Sequence, residues 1–150
     1  FVYGGTDLDI CPRAASISFN IKGVDHGLVA AILNDYFNIA VRNQCFCAHP
    51  YVKEMMSDDL EAEFGEIDFG NMSPEFMRKA GMVRASFGLY STSEDVALLL
   101  AALKDIIENA ETYGLDYALN ADNDYVHTSY QVDNEGVFNI VGAVDQYIGE

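Results

Sequence analysis

Basic residues are scarce in this sequence: 8 Lys and Arg stand against 24 Asp and Glu, giving a formal charge of −16. Nucleic-acid binding rests on cations that neutralise phosphates, so the charge balance argues against that function. Long apolar runs are missing too; none approaches the roughly 20 residues of a membrane span, and no membrane partner is expected. The opening stretch FVYGGTDLDI has neither the basic nor the apolar region of a secretory leader. Cysteines are few: Cys11, Cys45 and Cys47. An odd number that includes a Cys-x-Cys pair is a poor disulfide framework, because such neighbours rarely close an unstrained bridge. Reduced thiols fit a cytoplasmic protein.

What is present points to a folded domain. Half of the 150 residues are apolar, with 9 Phe and 9 Tyr, too hydrophobic for a disordered chain. The length suits one compact unit that needs no disulfide or metal staple. Solubility accounts for the acidity. Against that background, an arginine that binds an anion needs a local reason to do so.

Alternation of Ala15, Ile17, Phe19 and Ile21 predicts a half-buried strand ended by Gly23. Asp25 can cap a helix in which Leu28, Ile32 and Tyr36 recur at helical spacing beside Val29, Leu33 and Phe37. A short strand, Ile39–Arg42, then runs into a loop over Arg42–Pro50, which delivers the loop to a sheet end. Residues from Lys53 to Gly81 read as an ordered but less regular excursion, with a short helix opened by Ser73-Pro74 and closed by Gly81. The strand Met82–Tyr90 follows, with Val83, Ala85, Phe87 and Leu89 on one face and Arg84, Ser86 and Tyr90 on the other. Ser91 and Glu94 read as a capping box. They open the longest helix, with Val96, Leu99, Leu100, Leu103, Ile106 and Ile107 as its buried stripe. Beyond Tyr113 the composition turns acidic and rich in Asn and Tyr. Tyr125–Val132 reads as a strand, Asp133–Gly136 as a turn into Val137 and Phe138, and Val141, Val144 and Ile148 as a last helical turn or two.

Cys47 stands in a loop bracketed by Arg42, with His49 and Pro50 after it. A loop thiol near cations can be reactive, because the thiolate is the nucleophile. A free cysteine can equally be an inert small hydrophobe. Cys45, Cys47 and His49 are all metal-ligand types, but the run offers three donors without a fourth at spacings unlike zinc pairs. Arg84, in mid-strand with Ser86 two residues on, calls for an anion, or else for one of the many carboxylates as a structural partner.

Three segments together resemble the C-terminal domain of class V aminotransferase-family enzymes, nearest the cysteine desulfurase and selenocysteine lyase branch. They are Ile17–Val24, Asn38–Arg42 leading into Cys47-Ala48-His49-Pro50, and Val83–Thr92 before the long helix. The resemblance runs in family order over residues 13 to 107. It implies that Cys47 is the nucleophile that takes sulfur or selenium as a persulfide. It also implies that Arg84 binds the substrate carboxylate, a task for which a planar fork is suited, with Arg42 beside the same pocket. Two positions depart from the pattern: Gln44 stands where the family usually has glycine, and Cys45 adds a second thiol, for which a structural role is expected.

The resemblance further implies pyridoxal 5'-phosphate, bound in the family as a lysine Schiff base on a large domain. Lys22, Lys53, Lys79 and Lys104 do not stand in such a setting, so the cofactor would belong to a large domain missing from this chain. By itself the chain is expected to bind none and to be inactive. The expectation is therefore an α/β (α+β) two-layer sandwich, a small mainly antiparallel sheet with helices on one face. Residues 1–112 form the family domain, and 113–150 form an acidic extension packed on it. The parent would be a homodimeric enzyme acting on an amino acid. A standalone sulfur-acceptor or binding module is the competing class, as is a class V activity that does not act on sulfur.

Overall fold

The computed structural model describes residues 1–10, 12–65, 73–130, 139, 140, 142 and 144. The expected turn at 133–136, Val137, Phe138, Val141, Ile148 and the thiol of Cys11 lie outside them. The described elements run β1 (Ser16–Phe19), α1 (His26–Phe37), α2 (His49–Phe64), α3 (Pro74–Lys79), β2 (Val83–Ser86), α4 (Ser93–Gly114), β3 (Tyr117–Leu119) and β4 (Tyr125–His127). This is the small α/β class that the sequence predicts.

β1 and β2 pair antiparallel, with Ile17 opposite Ala85 and Phe19 opposite Val83. Two single bridges widen this ribbon, Val2 to Phe19 on one side and Arg42 to Arg84 on the other. The expected strand at Ile39–Arg42 is thus reduced to one bridged residue. The expected Met82–Tyr90 strand shrinks to four residues, and Leu89 and Tyr90 project into solvent. The ladder ends at Ser86, after which only Phe87 N donates across, to Ala15 O at 2.7 Å.

α1 and α4 cover one side of this sheet. Their apolar faces meet Phe19, Val83 and Ala85 in a core that contains Val29, Ile32, Leu33, Leu99, Ala102, Ile106 and Tyr117. α1 obeys its predicted period and ends at Asn38, whose left-handed φ of 54° turns the chain back toward the sheet. Its cap residue Asp25 makes no side-chain cap bond, because that carboxylate pairs with Lys79 at 2.6 Å and accepts from the Tyr125 hydroxyl at 2.6 Å. The box that opens α4 is Thr92 with Asp95, one residue beyond the expected Ser91–Glu94 pair. Ser91 instead accepts from the Gly88 amide at 3.0 Å. The buried stripe of α4 is Leu99, Ala102 and Ile106; Val96, Leu100 and Ile107 are exposed.

A second core gathers around Met82 and Tyr3. It is built by α2 and α3 through Val52, Met56, Leu60, Phe76 and Ala80, with Cys45 and Phe46 packed against it. The sequence reading passed over α2, although Val52, Met56, Leu60 and Phe64 recur every fourth residue and Pro50 occupies a first-turn position. α3 starts as expected, with Ser73 accepting from the Phe76 amide. Beyond α4, β3 and β4 form a hairpin, Tyr117 opposite His127. The hairpin is tied to α1 by hydroxyl–carboxylate bonds, Tyr117 to Asp35 at 2.9 Å and Tyr36 to Asp116 at 2.6 Å.

Candidate functional site

The site begins at the free edge of β2. Arg42 and Arg84 exchange both backbone bonds, Arg42 N to Arg84 O at 3.1 Å and Arg84 N to Arg42 O at 2.7 Å. Directly opposed residues of an antiparallel pair send their side chains to one face. Val83 and Ala85 are buried under α1 and α4, so strand alternation puts Arg84 on the opposite face. There its guanidinium carbon lies 4.9 Å from the centre of the Phe46 ring, a cation–π contact. Its Nε is buried without a hydrogen-bond partner.

Among the described residues, ion pairs join Arg78 and Lys79 to Asp25 and Lys104 to Glu108; neither Arg42 nor Arg84 has a carboxylate within 4.0 Å. With 24 acidic residues in the chain, that is the informative observation. The structural salt bridge considered for Arg84 is not made among the described residues. Two like charges placed opposite one another repel, and an anion between them would relieve the repulsion.

The loop is a tight backbone construction. Gln44, Phe46 and Cys47 all have left-handed φ, at 72°, 50° and 64°, a region that non-glycine residues enter at a cost. The Ala48 amide returns to the Cys45 carbonyl at 2.6 Å, and Met82 N donates to the Gln44 carbonyl at 3.1 Å. Gln44 thus holds a left-handed φ that glycine adopts more readily than a residue with a side chain.

The two thiols differ. Cys45 is partly buried, packs on the second core and donates to the Ala80 carbonyl at 3.3 Å. Burial pushes its pKa up, only partly offset by Lys53, which suits the structural role expected of it. Cys47 is exposed, next in the chain to the ring on which Arg84 stacks. His49 is exposed at the start of α2. With the Cys45 thiol turned to Ala80, the Cys45/Cys47/His49 set does not converge, and among the described residues no group of three His, Cys, Asp or Glu could hold a metal ion.

Sequence reasoning missed two neighbours. Phe46 has no motif to mark it; its role emerges only from its stacking with Arg84. His26 lies near the loop, 5 % exposed, with both ring nitrogens buried and without a hydrogen bond of good geometry, the Arg78 backbone acting on the ring only weakly. Burial lowers its pKa to about 4, despite the opposing charge of Asp25, so the ring is neutral at pH 7. A cleft of about 690 Å3 opens beside the loop, walled by His26, Asn43, Gln44, Arg78 and Tyr125 among others, but not by Cys47, Arg42 or Arg84. The thiol and the arginine pair lie outside it.

No described helix is long and apolar enough to cross a membrane. No curated protein matches the chain. Residues 6–99, which include Arg42, Cys47 and Arg84, match the family described as aminotransferase class-V, a span of most of the chain that takes in both edges of the arginine pair and the loop. The chain belongs to the class V aminotransferase family.

Proposed function

We propose that this chain is the substrate-side, C-terminal domain of a pyridoxal-phosphate-dependent class V enzyme, a cysteine desulfurase acting on L-cysteine or a close relative. The observation that carries this reading is an arginine pair without carboxylate partners among the described residues, with an exposed thiol in the adjoining loop. Arg84 offers a planar fork for the substrate carboxylate, held flat by Phe46. Arg42 adds a second positive charge on the same face. The Cys47 thiolate attacks the substrate sulfur as the C–S bond breaks, the electron pair of that bond leaving with the carbon fragment that becomes alanine, and Cys47 holds the sulfur as a persulfide.

Pyridoxal phosphate, when bound, supplies the electron sink for such chemistry. The residues described here fit a substrate better than that cofactor: Lys79 is committed to Asp25 and Lys104 pairs with Glu108. The Schiff-base lysine would therefore come from a large domain outside these 150 residues, in a cytoplasmic homodimer. Without it the chain binds no cofactor and is inactive.

The test uses the full-length enzyme. Cys47→Ala should abolish sulfide release from L-cysteine while the protein still binds its cofactor. Undiminished sulfide release would overturn the desulfurase assignment, and retained transamination would move the enzyme to another class V reaction.

A further inference from the structure

We propose that His26 is a positioning residue for the Cys47 loop, acting as a neutral wedge between α1 and the loop backbone. Its ring lies against Gly81, where the loop backbone at Gln44 also comes close. A Cβ added to Gly81 would lie 2.7 Å from the His26 ring carbon Cδ2 and 2.8 Å from the Gln44 Cα, with Nε2 nearer still. The imidazole and the Gln44 backbone thus both crowd Gly81, leaving no room there for a methyl group. Gly81 itself has no left-handed φ; glycine is needed there for closeness, not for backbone freedom.

The wedge is rigid because its base is rigid. His26 is the first residue of α1, and Val29, Ile32 and Leu33 behind it are fully buried. On its far side the loop is pinned by Met82 N to Gln44 O at 3.1 Å and by the Cys45 thiol to Ala80 O at 3.3 Å. The Gly81 carbonyl is held by the Asn20 side chain at 2.8 Å. Gln44 is therefore clamped between a ring and a strand, in a conformation it would not choose unaided.

Neither ring nitrogen makes a hydrogen bond of good geometry, although the Arg78 backbone lies close enough to favour the protonated ring weakly, so the imidazole is costly to keep. What it offers is a flat ring smaller than phenyl, fitted against Gly81. The consequence is local: the register of Cys45 and the presentation of Cys47 depend on His26, whether or not Cys47 accepts sulfur.

The experiment reads the thiols of the full-length protein directly, using iodoacetamide labelling mapped by peptide mass under native conditions. His26→Ala should raise the Cys45 labelling rate about tenfold, by letting the loop leave Ala80. Leu33→Ala, a core change of comparable or greater thermal cost, should leave that rate within about twofold far below its melting point. Gly81→Ala should also expose Cys45, and the double variant His26→Ala/Gly81→Ala should expose it less than the two single effects combined, since the added methyl occupies part of the vacated space. If His26→Ala does not fold, His26→Asn, which removes the ring but keeps a polar side chain, carries the test in its place. Cys45 labelling at the wild-type rate in either single variant would overturn the proposal, as would strict additivity in the double variant or equal exposure in Leu33→Ala.

Discussion

Arg42 and Arg84 face each other across a two-bond backbone bridge at the edge of β2, each without an acidic partner among the described residues. The arrangement costs electrostatic energy and fits an anionic ligand. If Arg84 binds a substrate carboxylate as proposed, Arg84→Ala in the full-length protein should raise KM for that substrate by roughly 10- to 100-fold, the equivalent of about 1.5–3 kcal/mol for a charge-assisted bond. Arg84→Lys should recover little of it, because a point charge cannot replace a stacked planar fork. Steady-state kinetics decide the matter; a KM unchanged in Arg84→Ala would remove the carboxylate role.

The two thiols of the loop should separate cleanly. In the wild-type chain Cys47 is exposed, whereas Cys45 is raised by burial and engaged with Ala80. Limiting iodoacetamide near pH 8 should modify Cys47 well before Cys45, as read from mapped peptides. Equal rates would mean that the loop does not hold this shape in solution.

Acid should weaken the fold through His26. Its folded pKa of about 4 lies below the ordinary 6.5, so the neutral form is the one the fold keeps. The associated stability is complete above pH 6.5. It falls as the unfolded chain takes up a proton that the folded chain refuses, down to pH about 4. The shift corresponds to about 3 kcal/mol across that window. Asp25 acts in the same direction at lower pH: burial raises its pKa, but the Lys79 and Tyr125 bonds more than compensate and the net shift is downward. Relief of the overall negative charge opposes both effects, so the measurement is a comparison. Between pH 7 and 4.5, the melting temperature of the wild type should drop more than that of His26→Asn.

Alkali should act through the tyrosines that hold the hairpin. Tyr125 is raised to about 12, first by burial and then by its bond to Asp25; Tyr117 is raised further by burial and Asp35. Each keeps its proton in the fold above the pH at which the unfolded chain releases it. Their contribution is therefore full below pH 10 and declines as pH rises toward 12. Tyr125→Phe should cost about 1 kcal/mol at pH 7 and should flatten the loss of stability above pH 10 in denaturant titrations.

α4 offers the sharpest contrast between neighbours. Leu99 and Ile106 are buried, whereas Leu100 and Ile107 are about three-fifths exposed. Ile106→Ala should cost about 2–5 kcal/mol. Leu100→Ala should stay within about 0.5 kcal/mol. Urea unfolding of the two variants would show whether the stripe runs through 99, 102 and 106.

That contrast also shows how far the sequence could be read. Val96, Leu100 and Ile107 form an apolar row as regular as the buried one, and only the placement of α1 and the sheet decides which row is covered. α1 was legible because its apolar face is single. α2 was obscured by the acidic residues that flank Val52, Met56 and Leu60, although their four-residue spacing was there to be found. The long β2 prediction failed at Leu89, where alternation continues but no partner strand does. In the site, Cys47, Arg42 and Arg84 could be picked out by type and position. Phe46 and His26 could not, because their roles are contacts between segments far apart in the chain.

The arginine pair has a last consequence, for how a ligand arrives. It is a cationic island on a chain of charge −16, so this chain's field repels an anion at long range and attracts it only within the last few ångströms. Added salt shortens the reach of both fields, to about 8 Å at 0.15 M, and the distant repulsion is lost first. Capture of a small carboxylate should therefore become faster, not slower, as ionic strength rises from very low values, the reverse of ordinary electrostatic steering.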